Sequence, residues 1–584
     1  MSIFDSIPLP KLKRSTFNLS HDVKLTAELG KLVPVLCQPV LPGDKWNLSS
    51  QFLCRVSPLL APLMHRVNVY FHTFFVPNRL VWSHWEEYIT QGVNGKDKPV
   101  LPYFTPYQMA SCYVHQRKWS GGNKTVDFRL GSLGDYMGLP TNRFSFEPAS
   151  LDTLTKISQL PFRAYQLIYN EYYRDETLQE EIDIQVDSDG ALKDNLVKIT
   201  ESSGHATLTY NDQPLFYLRN RCWRKDYFSG ALPFPQRLAD AEVTLPLAGE
   251  ADIVKKGDFV SPQSNPFSGD DLLQQSMGVS NPKYYDLEID GNGFLKASGY
   301  DGTKHMAGIN LNKLLTEQQI SHLKADLSSG NSVTINQLRE AVRLQMWLEN
   351  NARGGSRYIE QLLSHFGVIS SDARLQRPEY LGGYSSDLQF TEVLQTSEST
   401  ENSSQGNQTG HGFALNGDKI GKRYFDEHGY IFVIMSIRPQ NGYFQGIPKD
   451  FTKTDNLDFY FPEFQHLGEQ EIKEREIYYS GNDSDDETFG YVPRYSEYKT
   501  CFNRVCSDFR DSMDYYHLAR KFSSPPKLGD KFVKIDESSD EMDRIFPVLK
   551  DAETGKEYQH YWFDIAFNIK CSRKMSRYGI PKLI

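Results

Sequence analysis

No apolar run in this 584-residue chain approaches the ~18–20 residues that span a bilayer; the longest is about Ile431–Ile437. The opening stretch, Met1-Ser-Ile-Phe-Asp-Ser-Ile-Pro-Leu-Pro10, carries Asp5 and two prolines, so it has no secretory apolar core. Cysteine is scarce: seven residues (37, 54, 112, 222, 501, 506 and 571), an odd count with no Cys-x-x-Cys pair. Cys501 and Cys506 are the only close ones, and without histidine partners they cannot complete a tetrahedral zinc set. Reduced thiols in a cytosol-like compartment are expected. Positive charge is not in excess: 64 Lys and Arg against 74 Asp and Glu give 64 − 74 = −10. That balance argues against a surface devoted wholly to nucleic acid or anionic lipid. No repeat of roughly 20–50 residues is visible, which excludes a solenoid or propeller. Gly-x-Ser-x-Gly, His-Glu-x-x-His and a Gly-x-Gly-x-x-Gly after a strand are all missing.

Aromatics, by contrast, are plentiful. Phe 35, Tyr 33 and Trp 7 supply 13% of the chain, in a sequence with mean hydropathy −0.52. They serve cores and protein interfaces alike. The length suggests about four domains of ~150 residues, or one large β core with long loops. Val67, Val69, Phe71 and Thr73 alternate with Asn68, Tyr70 and His72 as in a strand. Arg79–Gln91 reads as a short helix with Trp82, Trp85 and Tyr88 on one face. Phe162–Arg174 is a helix entered through Pro161. Residues 182–212 read as a hairpin turning at Asp189-Gly190, and Leu287–Phe294 as another, turning at Asp290-Gly-Asn-Gly293. Thr334-Ile-Asn-Gln337 is a capping box opening a helix with Ile335, Leu338, Val342 and Met346 on one face, stopped at Gly354-Gly355. A second helix over about 357–366 ends at Gly367. Tyr430–Ile437 and Tyr561–Ile569 are strands. Many short strands with long insertions and no βαβ rhythm predict a mainly β protein, an antiparallel sandwich or barrel, with the jelly roll favoured.

The near-motifs resolve to turns and loops. Gly121-Gly-Asn-Lys-Thr125 has Asn123 where a phosphate loop needs its second glycine. Asp286-x-Glu288-x-Asp290-Gly291 begins like a calcium loop, but Ala297 occupies the twelfth position. Asn482-Asp-Ser-Asp-Asp-Glu487 is an acidic loop, and Asp426-Glu427-His428 a turn before Gly429. No metal site or cofactor is expected.

Two basic stretches remain. Lys11, Lys13 and Arg14 lie in a segment without acids, and Lys570, Arg573, Lys574, Arg577 and Lys582 mark a basic C-terminal tail, residues 570–584. Both are candidates for phosphate contact. Arg219, Arg221, Arg224 and Lys225 interleave with Tyr217, Trp223, Tyr227 and Phe228. Single-strand binders use that mixture, and so do subunit interfaces. The composition favours a subunit interface through Arg219, Arg221, Trp223, Arg224 and Tyr227.

In one order along almost the whole chain come Phe17-Asn-Leu-Ser-His-Asp-Val-Lys24, Leu41-Pro-Gly-Asp44, Phe75-Val-Pro-Asn-Arg-Leu-Val-Trp82 and Leu160-Pro-Phe-Arg-Ala-Tyr165. Lys225-Asp-Tyr-Phe228, Ala231-Leu-Pro-Phe-Pro-Gln236, Ala352-Arg-Gly-Gly-Ser-Arg-Tyr-Ile-Glu360 and Ser364-His-Phe-Gly-Val368 follow. Arg374-Leu-Gln-Arg-Pro-Glu-Tyr-Leu-Gly-Gly383, His466-Leu-Gly-Glu-Gln470 and Phe489-Gly-Tyr491 complete the set. With these motifs the chain resembles the major capsid proteins of microviruses, small icosahedral single-stranded-DNA phages, and specifically their gokushovirus branch. Phe234 stands where that family tends to have Trp, and Lys574 where a Pro is usual.

The resemblance implies a non-enzymatic structural protein, an eight-stranded antiparallel jelly-roll barrel of viral capsid type with large loop insertions and several helices. Residues 1–584 would form one capsid domain that self-assembles into a T=1 shell. By position, residues 247–333 would be a surface insertion projecting at the threefold axes and meeting the host. Asp286, Asp290, Asn292 and Tyr300 are its candidate contact residues. Implied partners are further copies of the chain, an internal scaffolding protein, a minor pilot protein for DNA delivery, the single-stranded DNA genome and a receptor on a bacterial surface. The charge balance adds a small basic DNA-packaging protein. Location would be the virion, after assembly in the host cytoplasm. The alternative from another class is a jelly-roll carbohydrate-binding or glycoside-active protein.

Overall fold

The computed structural model describes residues 13–93, 96–104, 130–140, 155–192, 214–236, 335–355, 357–394, 408–535, 544–546 and 559–578. It also describes short strands at 118–120, 124–126, 144–146, 197–202, 205–210, 252–255, 285–289, 294–299, 304–310 and 323–326. The chain divides into two compact units, residues 1–239 with 348–584, and residues 240–347.

Ten strands of the first unit position everything that follows. They are β1 (Ser15–Asn18), β2 (His21–Ala27), β3 (Val33–Val40), β4 (Lys45–Val56), β5 (Val67–Pro77), β6 (Glu379–Asp387), β7 (Gln389–Leu394), β8 (Gln408–Tyr424), β9 (Gly429–Pro439) and β10 (Tyr561–Arg573). One sheet runs β1-β10-β4-β8-β7, with β2 also pairing β10. The other runs β6-β5-β9-β3. Every pairing in them is antiparallel.

The sequence alternation dictates how the sheets face. Side chains of a strand point to opposite faces with period two. In β10, Tyr561, Phe563, Ile565, Phe567, Ile569 and Cys571 are buried while Trp562, Asp564, Ala566, Asn568 and Lys570 are exposed. In β4, Trp46, Leu48, Phe52, Cys54 and Val56 turn the same way as the buried set of β10. They meet Val67, Val69, Phe71 and Phe75 of β5 and Ile431, Val433, Met435 and Ile437 of β9 in a single core. The Phe52 and Phe71 rings are 4.8 Å apart across it. The two sheets therefore form a sandwich. Each large side chain buried there contributes about 1.5–3 kcal/mol.

The second sheet is covered on its other face as well. Phe74, Val76, Phe432 and Ile434 point away from the sandwich and pack on Leu160, Ala164, Tyr165 and Ile168 of helix α1 (Leu160–Ile168). This explains why β9 reads as a nearly continuous apolar run: both of its faces are buried. Pro161 lies in the first turn of α1, where its missing N–H is harmless, and the helix continues into a π-helical turn, Tyr169–Tyr173.

Several expectations need correction. The helix expected over Arg79–Gln91 is two short ones, Asn78–Val81 and Trp85–Thr90. Trp82 between them is extended and fully buried, and its Nε1 donates to Asp189 at 2.8 Å. That bond also explains Asp189: it anchors Trp82 and His84 instead of turning a hairpin. The hairpin in this region is Val197–Ser202 with His205–Tyr210. Lys570–Arg573 belongs to β10 and is not a free tail.

Helices α2 (Ile335–Gly354) and α3 (Tyr358–Phe366) form as expected, and Gly367 ends α3 at φ +65°, a conformation that glycine adopts without strain. Thr334 of the expected capping box lies outside the described residues. Leu338, Val342 and Met346 of α2 are exposed. In the second unit, Tyr285–Ile289 pairs with Phe294–Gly299, placing Asp286 opposite Ser298, and Phe294–Gly299 pairs in turn with Lys304–Asn310.

Candidate nucleic-acid and subunit interfaces

The two basic stretches, more than 550 residues apart in sequence, meet on one sheet edge. β1 pairs β10 with Ser15 opposite Arg573 and Asn18 opposite Lys570, which carries Lys13 and Arg14 to the same end as Lys574. Lys11 lies outside the described residues.

Not all of these cations face solvent. The turn Leu41-Pro-Gly-Asp44 folds beneath them, with Gly43 at φ +87°. Asp44 is almost fully buried, and its Oδ2 accepts from Arg573 Nε at 2.9 Å, Leu41 N at 3.1 Å and Trp46 Nε1 at 3.2 Å. The Arg573 guanidinium also donates to the Pro39 carbonyl at 3.0 Å and lies 5.8 Å from the Trp46 ring centre. Arg14 Nη1 donates to the Gly43 and Ser572 carbonyls. Both arginines thus bind the edge together. Arg573 is half-buried, whereas Lys13, Arg14, Lys570, Lys574 and Arg577 are exposed.

Register adds two lysines that linear reading could not place. Asn47 of β4 lies opposite Lys570 of β10 on one side and Lys422 of β8 on the other. Two residues along, Lys45 lies between Ser572 and Tyr424. Residues directly opposite in an antiparallel sheet share a face. The outer face of the first sheet therefore carries Lys45, Lys422 and Lys570 among Asn18, Asn47, Asn568 and Ser49, with Tyr424 exposed beside them. At the far end of the same face, Lys24 is paired with Asp564 at 3.2 Å. A surface of lysines and amides can hold a phosphate backbone without reading sequence.

The 219–227 stretch folds inward. Trp223, Tyr227 and Arg221 are buried, and the Tyr227 hydroxyl donates to Glu476 at 2.8 Å. Arg219 is half-buried, donating to Gln166 at 2.8 Å and to the Pro214 carbonyl. Only Arg224 of the five is exposed. Large apolar side chains left in solvent gather elsewhere: Phe451, Leu457, Phe459, Tyr460, Phe461 and Leu467 lie in a chain of short 3-10 turns, and Tyr358, Phe366 and Ile369 lie on and after α3. Phe451 and Ile369 are each 79% exposed, and apolar side chains exposed in contiguous groups mark interaction surfaces. The Leu457-Asp-Phe-Tyr-Phe461 run was the sequence signal for them.

The acidic loop behaves as a loop. Asp485 accepts from the Ser480 and Gly481 amides and the Ser480 hydroxyl, and the amide bonds hold its carboxyl below the usual range. Among the described residues no three His, Cys, Asp or Glu side chains are grouped to hold a metal, and the six described cysteines are free. Lys124 and Thr125 of the Gly121–Thr125 stretch lie in a three-residue strand. Asp290, Asn292 and Tyr300 lie outside the described residues.

Two facing antiparallel sheets with long loops, a cationic sheet edge and large apolar groups left in solvent are the make-up of a structural coat subunit. The chain belongs to the phage capsid protein (F protein) family, which matches it over residues 6–583. It is 35% identical to capsid protein VP1 of Bdellovibrio phage phiMH2K over 99% of this chain and 97% of that one. Against capsid protein VP1 of Chlamydia phage 1 it is 32% identical, with the same coverage, and against that of Spiroplasma virus 4 it is 30% identical over 98% and 96%. The expected gokushovirus-type capsid relationship is borne out, and these are structural proteins, not enzymes, which removes the glycoside-active alternative.

Proposed function

We propose that this chain builds a T=1 icosahedral shell around a circular single-stranded DNA genome, assembled in the cytoplasm of a bacterial host. The observation that carries the DNA side of this reading is the lysine-rich outer face of the first sheet, joined by both chain ends. It reconciles a net charge of −10 with an enclosed polyanion, because a cluster of bases lies on one face. Phosphate charge beyond its reach falls to a small basic packaging protein or to polyamines.

The strand order supports a jelly-roll barrel. Counting β2, β3, β4, β5, β6, β8, β9 and β10 as first to eighth, one sheet reads first-eighth-third-sixth and the other second-seventh-fourth-fifth. That interleaving is what two Greek keys folded into a jelly roll produce. The exposed aromatics at 451–467 and around α3 are offered as contacts between copies, with Arg224 at their disposal. Many weak contacts gain strength when a shell closes. The unit at 240–347, containing the expected insertion 247–333 and Asp286, Asp290, Asn292 and Tyr300, is assigned to the threefold protrusion and to host attachment. An internal scaffolding protein, a pilot protein and a bacterial surface receptor complete the set of partners. Electron microscopy of particles purified from cells carrying the whole phage genome tests the reading. Small isometric shells containing this chain are expected; a protein found solely as monomers or small oligomers would overturn it.

A further inference from the structure

The outer face of the second sheet holds a cavity with an unusual lining. Between β5, β6, β9, the π-helical turn and the 221–225 loop lies a half-open cavity of about 340 Å³. One end is aromatic: Phe74, Tyr172 and Tyr380 pack with ring centres 4.8–6.4 Å apart. At the other end, Arg221 and Arg438 stand over the same Tyr70 ring, at 4.2 and 4.8 Å from its centre.

Among the described residues the two guanidiniums have no counter-charge. Arg221 is only 8% exposed, and among the described residues its side chain donates one hydrogen bond, from Nη1 to the Ser436 hydroxyl at 2.6 Å. Arg438 donates to the Tyr70 hydroxyl at 3.1 Å. Neither forms an ion pair with any described residue. The nearby arginine and lysine that do have carboxylates are others: Arg377 meets Glu171 and Asp372, and Lys225 meets Asp175. A buried cation is ordinarily matched by an anion, and two adjacent unmatched ones repel. Burial and the Arg438 charge push the Arg221 pKa down to about 10, so it stays cationic near neutrality. Burial, with the two arginines added, pushes His72 down to about 3, so this imidazole on the wall is neutral and bonded to the Tyr173 hydroxyl at 2.8 Å. The cavity thus keeps its unmatched positive charge.

We propose that this cavity binds a nucleotide, its phosphate held by Arg221 and Arg438 and its planar base stacked on the exposed Tyr380 ring, which Phe74 and Tyr172 back from within. Arginine forks match phosphate oxygens in pairs, and aromatic faces accept any base. The volume is near the lower limit of small-ligand pockets, which suits one nucleotide and not a folded peptide. The cavity lies on the second sheet, away from the lysine-rich face of the first, so the two can be told apart.

Calorimetry on the purified full-length chain provides the test, with dAMP, deoxyadenosine, inorganic phosphate and a short single-stranded oligo-dA as probes. dAMP is expected to bind about tenfold or more tighter than either deoxyadenosine or phosphate, because only it uses both ends of the cavity. Arg438→Gln should weaken dAMP at least about tenfold while leaving the melting curve in place. Tyr380→Ala tests the aromatic end without touching a buried charge, and should reduce the preference for dAMP over phosphate. If the oligonucleotide binds in an Arg438-dependent way, the nucleotide belongs to a strand; if only dAMP does, it is a free nucleotide. Equal binding of dAMP and deoxyadenosine, or binding unchanged in Arg438→Gln, or no heat at about 10 mM dAMP, would overturn the proposal.

Discussion

Arg573 gives the sharpest test of how the basic edge is built. The sequence places it among the phosphate-contact candidates, whereas the structure turns it inward onto Asp44. The carboxylate there is about 1% exposed, and the Arg573 side chain 18%, so solvent screens the 2.9 Å pair little. Oδ2 accepts three donors and Oδ1 accepts none. Arg573→Gln removes the one cation among the described residues that pairs with this carboxylate and leaves it with two neutral donors. Breaking one side of a buried pair typically costs about 3–5 kcal/mol. The two surviving bonds from Leu41 and Trp46 place the expected loss at the lower end, about 3 kcal/mol. Urea unfolding of the unassembled subunit reads it. Asp44→Asn combined with Arg573→Gln should lose clearly less than the two single losses added together, since the orphaned charge is gone. A loss under about 1 kcal/mol in Arg573→Gln, accompanied by weaker single-stranded DNA binding, would refute the reasoning and return Arg573 to the DNA-contact set.

Replacing Lys45, Lys422, Lys570 and Lys574 together by Gln should leave the melt unchanged and reduce the salt slope of single-stranded DNA binding by about 0.7 per lysine in contact; an unaltered slope counts against this face. Phe52→Ala, in the centre of the sandwich, should cost about 3–5 kcal/mol by thermal unfolding, because the ring meets Phe71, Tyr384 and Phe563. Acid should weaken the fold through His65 and His560, whose burial pushes both pKa values down to about 4. Unfolding lets them take up protons at their ordinary value near 6.5. Stability is therefore whole above pH 6.5 and falls towards pH 4 by up to about 1.4 kcal/mol per pH unit for each, levelling off below, and His560→Gln should flatten the curve. Exchanging Ala251–Asn331 for a short Gly/Ser linker should leave a soluble, cooperatively melting subunit; loss of soluble protein would tie this segment to the folding of the rest.

Much of the sandwich is legible in the sequence because a half-buried strand writes its own pattern. Tyr561–Ile569 alternates plainly, and so does Val67–Thr73. Helices α2 and α3 were equally readable from their spacing and from Gly367. The failures have a common cause. Trp82 looked like one residue of a helical stripe, yet its indole reaches Asp189, more than a hundred residues away, and the helix breaks to let it. The Arg219–Tyr227 mixture of cations and rings looked like a surface, but Trp223 and Tyr227 complete internal clusters and Arg221 lies over Tyr70. Composition cannot distinguish an inner cation–aromatic cluster from an outer one. Lys45 and Lys422 went unnoticed because they join Lys570 only through the register of three strands distant in sequence.

An icosahedral reconstruction of genome-filled particles bears most directly on the central claim. Density for this chain is expected in every asymmetric unit, with the outer face of the first sheet turned inward and DNA density against Lys45, Lys422 and Lys570. A shell in which that face points outward, or is closed off between subunits with the internal density meeting another surface, would contradict it.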